Sequence, residues 1–96
     1  MLPCDSYIFS GHAIQRMFER RLTPDDVIAI IKDGEIIAEY PDDKPLPSLL
    51  ILGFVGKSPL HIVVGVDGNK RAGHIVTVYI PDPAKWEQDF KKRRPK

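Results

Sequence analysis

From Ser10 onward, apolar residues recur at three- and four-residue spacing. Ala13, Ile14, Met17 and Phe18 make one stripe, which predicts a helix. His12, Arg16 and Arg20 fall at i, i+4 and i+8, so they share a polar face of that helix, bordered by Gln15 and Glu19. Leu22 closes the segment, and Thr23-Pro24-Asp25-Asp26 starts a second helix. Thr23 is the capping residue, Pro24 suits the first helical position, and the two carboxylates favour the positive end of the dipole. Val27, Ile28, Ile30 and Ile31 supply the buried side of this helix, and Asp33-Gly34 reads as its stop.

Beyond Gly34 the period becomes extended. Strands are predicted over 35–40, 49–55, 60–66 and 75–80, with a proline-rich loop at 41–47. Gly56-Lys57-Ser58-Pro59 and Asp67-Gly68-Asn69 supply turns between consecutive strands. Pro81-Asp82-Pro83 breaks the last strand, and 84–90 reads as a short closing helix with Trp86 and Phe90 at i and i+4. The expected architecture is α+β, with two N-terminal helices on a mostly antiparallel four-stranded sheet and a short C-terminal helix.

Composition narrows the class. Ninety-six residues suit a single domain, taken as 1–96 with its core at about 8–90 and a basic tail at 91–96. With 43% hydrophobic and 28% charged residues, the chain reads as soluble and globular. The longest apolar run, 49–55, is interrupted by Gly53 and too short to span a bilayer, so no membrane partner is expected. Residues 1–7 carry Asp5 and no Lys or Arg, so they lack a secretory pattern; with a single cysteine, the expected location is cytoplasmic. That cysteine, Cys4, is given no role. The net charge of +1 hides an asymmetry: from Lys85 to the end, six basic residues face two acids, while the preceding 84 residues sum to −3. Such a tail can attract polyanions or stand as a solvated terminus.

Strand parity locates candidate chemistry. Leu60, Ile62, Val64 and Val66 share one face, leaving His61 and Val63 on the other. In the last strand Val76, Val78 and Ile80 are expected on the apolar face, with Ile75, Thr77 and Tyr79 opposite and His74 apart from them. Pairing the two strands as a hairpin then puts His61, Thr77 and Tyr79 on one surface. Added to His12 and Arg16, this inventory of two imidazoles, a guanidinium, a phenol and a hydroxyl suits metal-independent RNA cleavage. One group takes the ribose 2′-hydroxyl proton, another protonates the leaving 5′-oxygen, and arginine stabilises charge on the phosphate. Arg20, and Lys70 and Arg71 in the last turn, are candidate RNA contacts. The three histidines sit on three separate elements with no zinc-type spacing, and no phosphate-cradling glycine loop opens a helix, so neither metal nor cofactor is expected.

The ordered set Ser10-Gly11-His12-Ala13, Arg16-Met17, Arg20, Leu22-Thr23-Pro24, Asp26-Val27 and Asp33-Gly34, then Ile36-Ile37 and Tyr40-Pro41, resembles the domain-of-unknown-function family DUF4258. So do Pro45, Pro47, Leu50, Leu52-Gly53, Leu60-His61-Ile62-Val63, Ile75, Thr77-Val78-Tyr79, Pro81 and Trp86. That family is similar to the RelE-like and BrnT-like toxin ribonucleases. The resemblance implies a RelE-like toxin fold and an endoribonuclease acting on RNA or on the ribosome, neutralised by a cognate antitoxin protein. Carried onto this chain, its polar positions are His12, Arg16, His61, Thr77 and Tyr79. On this reading the two histidines divide the acid and base roles and Arg16 holds the phosphate. The alternative is the same fold used as a non-catalytic binding module for a protein or nucleic acid. A third option is a protein that assembles through apolar surfaces and strand edges.

Overall fold

A computed structural model describes residues 5–95, so Cys4 and Lys96 lie outside the described residues. In chain order the elements are β1 (Ser6–Phe9), α1 (Gly11–Glu19), α2 (Pro24–Asp33), β2 (Glu35–Tyr40), β3 (Ser48–Val55), β4 (Ser58–Asp67) and β5 (Ala72–Tyr79). The strands form one sheet in the order β1-β5-β4-β3-β2. β1 runs parallel to β5 and every other pairing is antiparallel.

This corrects the expected four-stranded antiparallel sheet with a closing helix. The sheet is five-stranded and mixed because Ser6–Phe9 pairs beside β5, from Ser6 opposite Ala72 to Phe9 opposite Ile75. Four residues are too few for a period to announce a strand. Tyr7 and Phe9 nevertheless pack against the core while Ser6 and Ile8 face outward, which is the strand alternation. Arg71 bonds Asp5 through Nε at 2.6 Å and Nη2 at 3.3 Å, fastening the start of β1 to the β4–β5 turn. The guanidinium holds the Asp5 carboxyl below its ordinary range.

No helix forms at 84–90. The Asp82 carboxylate accepts from the Ala84 N–H and the Asp82 carbonyl accepts from Lys85 and Trp86, so the chain turns after Pro81. It then doubles back on itself. Trp86 pairs with Arg93, the Glu87 N–H donates to the Lys92 carbonyl, and the Arg94 N–H donates to the Lys85 carbonyl. Phe90 sits at the tip with φ of +60°, a left-handed conformation that no helix accommodates. Residues 84–94 are therefore a folded loop, called here the C-terminal lobe, and 91–94 belong to it instead of to a tail.

The two predicted helices form as their caps direct. The Ser10 hydroxyl accepts from the Ala13 N–H and donates to the Val76 carbonyl, which fixes the start of α1 on β5. Thr23 and Asp26 make a reciprocal capping box, and Thr23's backbone bond to the Asp26 side chain holds that carboxyl below its ordinary range. Both helices pack on one face of the sheet. Ala13 and Met17 of α1, with Val27 and Ile31 of α2, close a core against Ile51, Leu60, Ile62, Val64, Ile75 and Val78.

One register shift changes the parity of β5. Val63 pairs with Thr77 but Val64 pairs with Ile75, so Val76 bulges out of the ladder. Ile75 is therefore fully buried under the helices while Val76 is about half exposed, the reverse of simple alternation. The bulge also keeps Thr77 and Tyr79 on the face away from the helices.

Gly53 sets how closely α2 approaches β3, since a Cβ there would overlap Ile30 Cγ2. Gly53→Ala is expected to destabilise the fold by about 1–3 kcal/mol, because overpacking forces the helix outward. A lowered urea midpoint with an unchanged slope checks this.

Candidate functional site

The sheet face opposite the helices is laid out by register in three rows. Tyr79, His61 and Leu52 are direct neighbours across β5, β4 and β3. Thr77, Val63, Leu50 and Ala38 form the next row, and His74, Gly65, Ser48 and Tyr40 the third. His74 thus lies on the Thr77 and Tyr79 side, not apart from it, because the bulge shifts its parity. Its Cβ comes within 3.7 Å of where a Gly65 side chain would point. Leu46 of the proline-rich loop covers Gly65, and the Ser48 hydroxyl donates to Asp43 at 2.6 Å.

His61 is the centre of the first row. It is 0% exposed, the one buried histidine of the chain. Nε2 lies 2.8 Å from the Phe90 carbonyl oxygen and Nδ1 lies 3.2 Å from the Tyr79 hydroxyl. A carbonyl can only accept, so Nε2 carries the proton. In the neutral ring Nδ1 is then the acceptor, and Tyr79 donates to it. The edge of the imidazole meets the Trp86 ring at a centroid distance of 4.4 Å and an interplanar angle of 85°. Tyr79 sits against it at 5.2 Å and 74°. Burial pushes the His61 pKa below its ordinary value, against a smaller opposite pull from the Phe90 carbonyl. The ring is therefore neutral, bonded at both nitrogens and enclosed by two aromatic rings.

Tyr79 is half-buried. Burial pushes its phenol pKa up; the nearby Tyr40 phenol adds to the rise and the Arg93 guanidinium counters it. Tyr40 and Arg93 thus act on the Tyr79 phenol in opposite directions. Arg93 stands 5.6 Å over the Trp86 ring, an arrangement that favours both partners. Lys91 of the lobe pairs with Glu35 of β2 at 3.0 Å, and within the lobe Arg94 pairs with Glu87 at 3.4 Å. Lys85, Lys92 and Arg93 have no carboxylate partner among the described residues.

The remaining candidates lie elsewhere. His12 and Arg16 are exposed on α1, which packs on the opposite face of the sheet from His61, Thr77 and Tyr79. The sheet itself separates the two groups, and the structure does not bring them to one site. Arg16 bonds Glu19 at 3.0 Å, and Arg20 lies 3.9 Å from the same carboxylate. Lys70 is exposed in the β4–β5 turn, and Arg71 is engaged with Asp5. What the structure does gather is His61, Thr77 and Tyr79 with Trp86, Phe90 and Arg93. Trp86 and Phe90 announced themselves as apolar residues in a basic stretch. The Phe90 contact is through a backbone carbonyl, which no side-chain pattern reveals. Among the described residues no three His, Cys, Asp or Glu side chains gather as metal ligands.

The buried imidazole makes stability depend on pH in a defined direction. Unfolded, His61 takes up a proton around its ordinary 6.5; folded, it resists protonation to lower pH. Its contribution is complete above the unfolded value and falls away as pH drops below it towards the folded value. The urea midpoint is therefore expected to fall between about pH 8 and pH 5, and His61→Phe to flatten that fall. The same variant should lose about 1–3 kcal/mol for each polar group left unpaired at Tyr79 and Phe90.

A family model described as "Domain of unknown function (DUF4258)" matches residues 9–80, most of the chain. No curated protein and no solved structure matches it. The matched span runs from the end of β1 through Tyr79 and carries the whole helix pair and the antiparallel part of the sheet. The chain belongs to the DUF4258 family.

Proposed function

We propose that this chain is an RNA-binding domain that holds its ligand on the C-terminal lobe and does not cleave it through a His12–His61 pair. The observation that carries the reading is the anchored positive surface at the chain's end. Lys85, Lys92 and Arg93 project from a lobe fixed to the sheet by the buried Trp86 and by the His61–Phe90 bond. Cations on an ordered frame lose less conformational freedom on meeting phosphates than cations on a frayed terminus. The Tyr79 ring next to this surface offers a face on which an unpaired base stacks. RNA is taken as the polyanion because the sequence suggests a resemblance to RelE-like and BrnT-like ribonucleases.

Two features bound the reading. A cleft of about 610 Å³ beside Tyr40 and Val63 is rimmed by Glu39, Asp42 and Asp43, so a polyanion is directed to the lobe and away from the proline-rich loop. His61 lacks both a free nitrogen and solvent access, and His12 lies beyond the sheet. An acid and a base on opposite faces cannot serve one phosphodiester.

Fluorescence anisotropy with a short single-stranded RNA tests this. Three phosphate contacts predict that log K falls with log salt at a slope of about −2, and Lys92→Ala with Arg93→Ala should bring it to about −0.7. His12→Ala should leave binding unchanged. Absent or salt-independent binding would contradict the reading. So would RNA cleavage, free or on translating ribosomes, that His12→Ala abolishes.

A further inference from the structure

A second concavity lies on the helix side of the sheet, away from the C-terminal lobe. It is lined by Arg20, Leu22, Val55, Ser58, Pro59, Leu60 and Ile80, with a volume of about 270 Å³. Its walls are apolar: Leu60 is buried, Leu22 partly so, and Val55 and Ile80 form a half-exposed rim. The cation on this wall is Arg20, the C-cap residue of α1. Its backbone N–H reaches the Met17 and Phe18 carbonyls, which fixes the residue at the mouth of the pocket.

The Arg20 side chain is incompletely satisfied. Nε is buried and is the one buried side-chain nitrogen or oxygen among the described residues with no hydrogen-bond partner. Glu19 approaches only Nη1, at 3.9 Å, and the same carboxylate is already bonded by Arg16 at 3.0 Å. A buried guanidinium N–H without an acceptor is costly, and its planar fork is shaped for a two-oxygen anion. Arg16 and Arg20 against Glu19 leave one net positive charge here, which a monoanion balances and a dianion such as a phosphate monoester overshoots. Apolar walls around a single guanidinium match a single negative charge on an apolar body.

We propose that this pocket binds a carboxylate carried on a small branched aliphatic or aromatic group, with both carboxylate oxygens on the Arg20 guanidinium and the apolar part against Leu22, Val55, Leu60 and Ile80. The carboxylate comes either from a free organic acid or from the C-terminus of a polypeptide ending in an apolar residue. The site is independent of the lobe. RNA binding there neither requires it nor fails with it.

Nuclear magnetic resonance titration of the full chain, following the Arg20 Nε–H signal, separates the outcomes. One arm uses 4-methylpentanoate and its primary amide; the other uses a short peptide ending in leucine and the same peptide as its C-terminal amide. Saturable shifts with a carboxylate at least about tenfold tighter than its amide support the site, that ratio being the worth of a charge-assisted hydrogen bond. Preference for the acid or for the peptide identifies the source. Arg20→Gln should weaken binding by about tenfold or more. Val55→Trp, which fills the rim without touching the guanidinium, should block binding if Arg20→Gln fails to fold. No saturable shift from either carboxylate, equal affinity for the amides, or undiminished binding in Val55→Trp overturns the proposal.

Discussion

The structure turns on one imidazole. His61 joins the sheet to the C-terminal lobe, donating to the Phe90 carbonyl and accepting from Tyr79, beside the buried Trp86 and the Lys91–Glu35 pair. The cost of burying a polar ring is met only because both nitrogens are bonded and both ring edges are packed. Around this tie lie the left-handed turn at Phe90, the buried Trp86 and Arg93 over that ring.

The sheet then acts as a partition. On one side the helices bury the apolar residues of alternate positions; on the other, phenol, hydroxyl and imidazole groups meet the lobe. Groups on α1 are displayed to solvent on the far side. Two surfaces of distinct chemistry result: a cationic, aromatic one around Arg93 and Tyr79, and an apolar pocket with one guanidinium at Arg20. Neither resembles an acid–base pair spaced for a single bond.

Much of the helical half was legible in the chain itself. Ser10, the Thr23 to Asp26 capping box and the stripes of Ala13–Met17 and Val27–Ile31 define their elements through local interactions, which local sequence can encode. The parity of Leu60 to Val66 placed His61 opposite the core, and the hairpin register put it beside Tyr79. Three features escaped, each for a non-local reason. β1 exists because β5 offers it an edge, and nothing within four residues reports that. The bulge at Val76 is fixed by the Ser10 hydroxyl on its carbonyl, 66 residues away in sequence. The 84–94 segment has helical spacing between Trp86 and Phe90, but Asx turns at Asp82 and Asp89 and the pull of His61 on Phe90 overrode it. The convergence of His12 with His61 was the inference most exposed to error, since a helix's polar face points away from the sheet it packs on.

The state of the His61 ring tests this account most directly. Nitrogen-15 spectra of the imidazole at neutral pH should show a neutral ring with its proton on Nε2, slow to exchange, and with no titration around the ordinary 6.5. A proton on Nδ1, fast exchange with solvent, or titration at that ordinary value would mean the ring is free. The lobe would then have lost its anchor.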